Sequence, residues 1–148
     1  AINACPADNN FAEIRIEFAR INNATFYVTK VCFTTYPKTG AWKATYTTTD
    51  VTTGETADII IDEGLDTANF KFKKDAFKTI AVSIDANRKF IVYYDGKKYF
   101  ESNVLAGVQD QYYVSRSGFG LDNKVVIFAD NLFVFDNGTI CTTEPRER

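Results

Sequence analysis

With 148 residues the chain is long enough to bury ~70% of the surface its unfolded form exposes, so a single domain over 1–148 is expected. A formal net charge of −2, with Lys and Arg scattered rather than clustered, argues against nucleic acid and against an anionic membrane surface as partners. No apolar run approaches the ~18 residues of a membrane span, so no membrane insertion is expected. The 13 Phe and 8 Tyr among many Thr and Val bias the chain toward strands.

Residues 1–10 form a polar lead-in, and flexible ends are expected at about 1–9 and 143–148. From Phe11 to Ile21 apolar residues alternate with charges: Ala12, Ile14, Ile16 and Phe18 on one side, Glu13, Arg15 and Glu17 on the other. That period of two is a half-buried strand, because a 3.6-residue wheel would scatter the same apolar set. Asn22-Asn23 turns the chain. Thr25 to Tyr36 is β-branched and aromatic on both faces and reads as a more central strand, ended by the turn Pro37-Lys38-Thr39-Gly40. Ala41 to Thr49 carries Trp42, Ala44 and Tyr46 on one face and Thr45, Thr47 and Thr49 on the other. After Thr52-Thr53-Gly54, the run Ile59-Ile60-Ile61 is compatible with a strand buried on both faces. Leu65 to Lys78 is less regular, with Phe70 and Phe72 alternating as a strand does.

Thr79 to Glu101 reads as a β-meander. Asp95-Gly96 suits a two-residue type I′ turn, which needs φ > 0 at both central positions. A plain two-residue hairpin then sets Tyr94 opposite Lys97, Tyr93 opposite Lys98, Val92 opposite Tyr99, Ile91 opposite Phe100 and Phe90 opposite Glu101. A loop of two or four residues after Asp85 pairs Ile84 with Ile91 and Val82 with Tyr93. One face, Ile80, Val82, Ile84, Ile91, Tyr93 and Phe100, is then core. The other, with Ala81, Ser83, Asp85, Phe90, Val92, Tyr94, Lys97, Tyr99 and Glu101, is either a second packed surface or a binding surface. Further strands are expected at Tyr112 to Ser115, Val125 to Ala129 and Leu132 to Phe135, with a turn-rich connection at Ser117-Gly118-Phe119-Gly120. The sum is an all-β fold, a two-sheet antiparallel β-sandwich (jelly roll), with a closed β-barrel as the alternative.

Cys5, Cys32 and Cys141 leave one cysteine odd. Cys5 and Cys141 flank the first and last strand-like segments, so a disulfide between them is expected, with Cys5 to Cys32 the rival pairing and three free thiols the remaining alternative. Cys32 lies within an apolar strand and reads as a small buried hydrophobe. Asn23-Ala24-Thr25 and Asn137-Gly138-Thr139 are sequons at turns, making Asn23 and Asn137 candidate glycosylation sites. With the cysteines, and a start at Ala1 with no Met anywhere, as after removal of a secretion signal or in any trimmed chain, these features suggest a secreted protein.

The order IAVSIDANRKFIVYYDGKKYF, a loop, SRSGFG and then VIFADNLFVF resembles the back half of a concanavalin A-like jelly-roll domain, the superfamily of laminin G-like, pentraxin-like, galectin-like and glucanase-like sandwiches. The likeness covers about residues 79–135 and rests on Tyr94-Asp95-Gly96 and Asp130-Asn131-Leu132. It implies a lectin-like sandwich. Functional residues of those families do not carry over: the chain has no His for a galectin-like set, Trp42 is followed by Lys43-Ala44, and no Glu-x-Asp-x-x-Glu strand occurs.

Without His the usual nucleophilic triads lack a base, and catalysis is not expected. Asp85 with Glu101 is the one pair of carboxylates that the register sets on one face for glycoside cleavage, and strand-end charges balancing Lys97 and Lys98 explain it as well. Asp62-Glu63, Asp66, Asp110, Asp122-Asn123 and Asp130-Asn131 offer oxygen ligands of the kind Ca²⁺ takes, but their spacing fits turns better, so no cofactor is expected. The aromatic-polar face remains. Tyr94, Tyr99, Lys97 and Asp85, joined by Trp42, could hold a sugar, since a pyranose stacks its apolar face on an aromatic ring while polar groups re-pair its hydroxyls. The expected function is a secreted, non-catalytic, lectin-like domain that binds a glycan or glycoprotein. The alternatives are a structural or adhesive module that meets a protein partner or forms a homo-oligomer, and a β-barrel carrier of a small apolar ligand.

Overall fold

The structure, a computed structural model, describes residues 2–20, 24–73, 77–85, 87–108, 113–121 and 126–127. In chain order these form β1 (Ile2–Ala4), β2 (Ala12–Ala19), β3 (Phe26–Tyr36), β4 (Ala41–Asp50), β5 (Glu55–Leu65), the short helix α1 (Thr67–Phe70), β6 (Ile80–Ile84), β7 (Lys89–Tyr94), β8 (Lys97–Val104), β9 (Tyr113–Leu121) and β10 (Val126–Ile127). A large antiparallel sheet runs β5-β4-β3-β2-β9, a small one runs β6-β7-β8, and β1 pairs with β10. The large sheet ends in β5 and β9 and the small one in β6 and β8. The large and small sheets are therefore both open and packed as a sandwich, and the described strands close no barrel.

The alternating patterns in β2, β3 and β4 build the inner face of the large sheet. Phe18, Val28, Val31, Phe33 and Ala44 are buried there, with Ile14, Ile16, Trp42 and Tyr46 packed against them. From the small sheet come Ile84, Phe90 and Val92, the last two wholly buried. Full burial of a Val or Phe side chain contributes ~1.5–3 kcal/mol, so this layer holds the sheets together.

The β6–β7 hairpin corrects the expected register. Asp85 N donates to Lys89 O, Arg88 N donates to Asp85 O, and Arg88 takes φ 62°. This is a three-residue loop whose last residue is left-handed. An odd loop inverts the parity of the even loops expected, so Ile84 lies opposite Phe90 and Val82 opposite Val92. Ile80, Val82, Ile84, Phe90, Val92 and Tyr94 share the inner face. Ile91 and Tyr93, expected in the core layer, are on the other side with Ala81 and Ser83.

Asp95 (φ 50°) and Gly96 (φ 77°) form the expected tight turn, with Tyr94 opposite Lys97 and Tyr93 opposite Lys98. One extra residue in β8 then shifts the ladder, placing Phe100 rather than Tyr99 opposite Val92 and Glu101 rather than Phe100 opposite Ile91. Further along, Lys89 lies opposite Val104, and Phe90 N donates to Ser102 Oγ at 2.8 Å instead of meeting Glu101. A bulge sets two residues against one. Here it brings both Tyr99 and Phe100 onto Trp42, each with ring centroids 5.8 Å away.

Three other expectations change. β5 is an edge strand, and Ile59 and Ile60 are 37% and 53% exposed rather than buried on two faces. β9 runs through Ser117-Gly118-Phe119-Gly120, read from sequence as a turn; pairing with β2 sets Gly118 opposite Arg15 and Gly120 opposite Glu13. The glycines put no side chain beside those long charged residues, and Arg15 bonds Glu13 at 3.3 Å and lies 3.8 Å from Glu17. Phe70 ends a helical turn instead of belonging to a strand. Within the polar lead-in, β1 is paired, Cys5 and Asn10 are buried, and Lys38 Nζ donates to Pro6 O at 2.6 Å.

Candidate functional site

One end of the sandwich is covered by α1. Asp66 caps it: Asn69 N donates to Asp66 Oδ1 at 3.0 Å and Asn69 Nδ2 to Oδ2 at 2.9 Å, satisfying donors that a helix start leaves open. The β3–β4 turn holds this segment in place. Asp66 N donates to Gly40 O and Phe72 N to Pro37 O, both at 2.9 Å. The capped turn drives Phe70 into the interior, where its ring lies 5.5 Å from Phe33, 5.3 Å from Tyr94 and 5.1 Å from Tyr99.

The two tyrosines carry this packing outward. Tyr99 OH donates to Asp66 Oδ2 at 2.6 Å and Tyr94 OH donates to Asn69 O at 3.0 Å. Both rings are half-buried, and burial together with nearby carboxylates raises both phenol pKa values, so both hydroxyls are donors near neutral pH. Around them lies an open depression of about 470 Å³ lined by Asn69, Tyr94, Asp95, Lys97, Lys98 and Tyr99, within the ~300–1,000 Å³ of small-ligand sites. Its rim is charged on both signs. Asp95 accepts from Thr79 N at 3.1 Å and Lys78 at 3.4 Å, and Lys98 bonds Glu101 at 2.6 Å. Among the described residues no ion pair engages the exposed Lys97.

The Tyr99 hydroxyl, followed by Asn69, lowers the Asp66 pKa. A carboxyl depressed on folding contributes stability that is present above its unfolded value of about 3.9 and lost as pH falls through the folded value. Tyr99→Phe should lower stability at pH 7 by ~1 kcal/mol, the worth of a typical hydrogen bond. The gap to wild type should narrow at an acid pH low enough for Asp66 to gain its proton. Urea unfolding of both proteins at the two pH values measures this; an equal gap at both would show that the Asp66 charge is not what Tyr99 serves.

Of the residues singled out in the sequence, Tyr94, Tyr99 and Lys97 meet at the depression. Trp42 lies one layer below, stacked at 5.7 Å on Phe33 and with its indole over Gly64. Asp85 is at the far end of β7, about five strand steps of ~3.3 Å away, and its Oδ1 is taken up by Asn87 N and Lys89 N. Asn69, Asp95 and Lys98 were not foreseen as lining residues. The signal for α1 was present in Asp66-Thr67-Ala68-Asn69, a capping residue before a short helical turn, but the Phe70/Phe72 spacing masked it.

Compared with protein-family models, curated proteins and solved structures, the chain matches none. Functional argument rests on the site's own chemistry. Asp85 and Glu101 do not form a poised acid pair: Lys98, then Lys89, hold the Glu101 carboxyl below its usual range, the opposite of what a general acid requires. Among the described residues no group of three metal-binding side chains occurs; Asp66 and Asp62 instead bond backbone N–H groups nearby. No disulfide joins Cys5 to Cys32. Cys32 is 3% exposed, and burial, reinforced by Glu13, pushes its thiol up to about 11, so it stays protonated and unreactive near neutral pH. Cys141, both sequon asparagines (Asn23 and Asn137) and Asp130-Asn131-Leu132 lie outside the described residues.

Proposed function

We propose that this chain is a non-catalytic, lectin-like domain that binds a carbohydrate in the depression between α1 and the β7–β8 turn. The observation that carries the reading is the lining: two tyrosine rings beside an amide, a carboxylate and two ammonium groups, all around one open depression. A sugar needs this mixture, because ring carbons lose water against an aromatic surface while each hydroxyl must find a new partner. The likeness of residues 79–135 to concanavalin A-like jelly rolls supports the same reading, and its Tyr94-Asp95 element stands at the depression. Secretion, a Cys5–Cys141 disulfide and glycans on Asn23 and Asn137 belong to the proposal.

A glycan array, run with Ca²⁺ and again with EDTA, tests it. A specific binder is expected in both conditions. Lys97→Glu should weaken that binder roughly ten- to a hundredfold, the equivalent of losing a charged hydrogen bond of ~1.5–3 kcal/mol. No glycan above background, or a binder indifferent to Lys97→Glu, would overturn the assignment.

A further inference from the structure

The free edge of β5 is a second surface with chemistry of its own. β5 pairs with β4 along its whole length, and among the described residues its other side pairs with nothing. Residues 55–60 are all exposed and run in unbroken register with β4, the one bulge falling at Ile61. Such an edge presents a row of unpaired N–H and C=O groups, which proteins usually blunt with Lys, Pro or short length. β5 is 11 residues long and contains neither Lys nor Pro. Its exposed large apolar side chains are Ile59, Ile60 and Leu65, and its charges are Glu55, Asp58, Asp62 and Glu63, which no ion pair engages among the described residues.

We propose that this edge docks an extended, basic segment of a protein partner as an added antiparallel or parallel strand. Backbone pairing would supply affinity and the alternate side chains specificity, as in other strand-addition interfaces. The charges select the occupant. A second copy would bring an edge bearing Glu55, Asp58, Asp62 and Glu63, with no Lys or Arg, against another like it, and facing like charges are destabilising. A segment alternating Lys or Arg with β-branched residues sets its cations beside Asp58 on one face and its β-branched residues against Ile59 on the other.

The probe is a fluorescent peptide of about eight residues, the length of an ordinary strand, alternating Lys and Val. Fluorescence anisotropy should show it binding at least ~tenfold more tightly than its Glu/Val analogue, with weakening as salt rises. Asp58→Lys combined with Glu63→Lys should abolish the preference, while Lys97→Glu should leave it unchanged. A Lys/Val peptide N-methylated at every residue keeps the charge but has no backbone N–H to pair along either edge, and it should lose binding. The proposal is overturned if the methylated peptide binds as well as the parent, if neither peptide binds, or if sedimentation shows that the chain dimerises and that the double variant strengthens the dimer.

Discussion

Phe70→Ala should lower the stability of the domain by ~3–5 kcal/mol, the range for removing a buried phenylalanine. The ring is 6% exposed and sits between Phe33 of the large sheet and Tyr94 and Tyr99 of the small one. Its loss leaves a void at the point where the two layers and α1 meet, and neighbouring rings fixed by their own hydrogen bonds cannot close over it. Urea unfolding monitored by the fluorescence of Trp42 would report the change. Phe77→Ala, at a 60% exposed position, is the matched control and should stay within ~0.5 kcal/mol of wild type. Because the tyrosines lean on Phe70, glycan binding should fall with stability in the first variant and not in the second. A loss below ~1 kcal/mol would mean that the aromatic layer repacks freely.

Gly40→Ala should be the most disruptive single-methyl change at this end of the fold. Gly40 takes φ +87°, and an added Cβ would lie 2.8 Å from Thr67 Cα and 2.9 Å from Asp66 O. The left-handed backbone alone costs about 1–2 kcal/mol for a residue with a side chain. The closer conflict is with backbone atoms, which cannot swing aside as a flexible side chain does. α1 must therefore move off the β3–β4 turn and take Asp66 with it. A total above ~2 kcal/mol is expected, together with a weakened Tyr99–Asp66 contact. Gly54→Ala separates the two effects: Gly54 shares a positive φ of +75° but meets nothing within 4 Å, so it should show the backbone term alone. Equal losses at the two sites would remove the steric part of the argument.

Which parts of this architecture are visible in the sequence follows from which forces are local. The alternation of Ile14, Ile16 and Phe18, the turn at Pro37 to Gly40 and the positive-φ pair Asp95-Gly96 each rest on the conformational preferences of a few adjacent residues, and each forms as read. Register across β6 and β7 depends on whether a loop holds an odd or an even number of residues, and Arg88 gives no hint that it will adopt a left-handed conformation. The bulge at Tyr99 is matched by contacts with Trp42, 57 positions upstream in the chain, and leaves no local mark. Ile59-Ile60-Ile61 looks like a central strand because apolar content says nothing about which strand is outermost. The depression was half legible for the same reason: Tyr94, Lys97 and Tyr99 share one hairpin, whereas Asn69 reaches it only through the docking of α1.

The odd loop between β6 and β7 also dictates how this hairpin can vary in length. Insertion or deletion of one residue there would rotate every β6 side chain by half a turn, replacing Ile80, Val82 and Ile84 in the interior with Ala81 and Ser83. Changes of two residues would preserve the inner face. Descendants and designed relatives of this domain should therefore differ at the loop in steps of two.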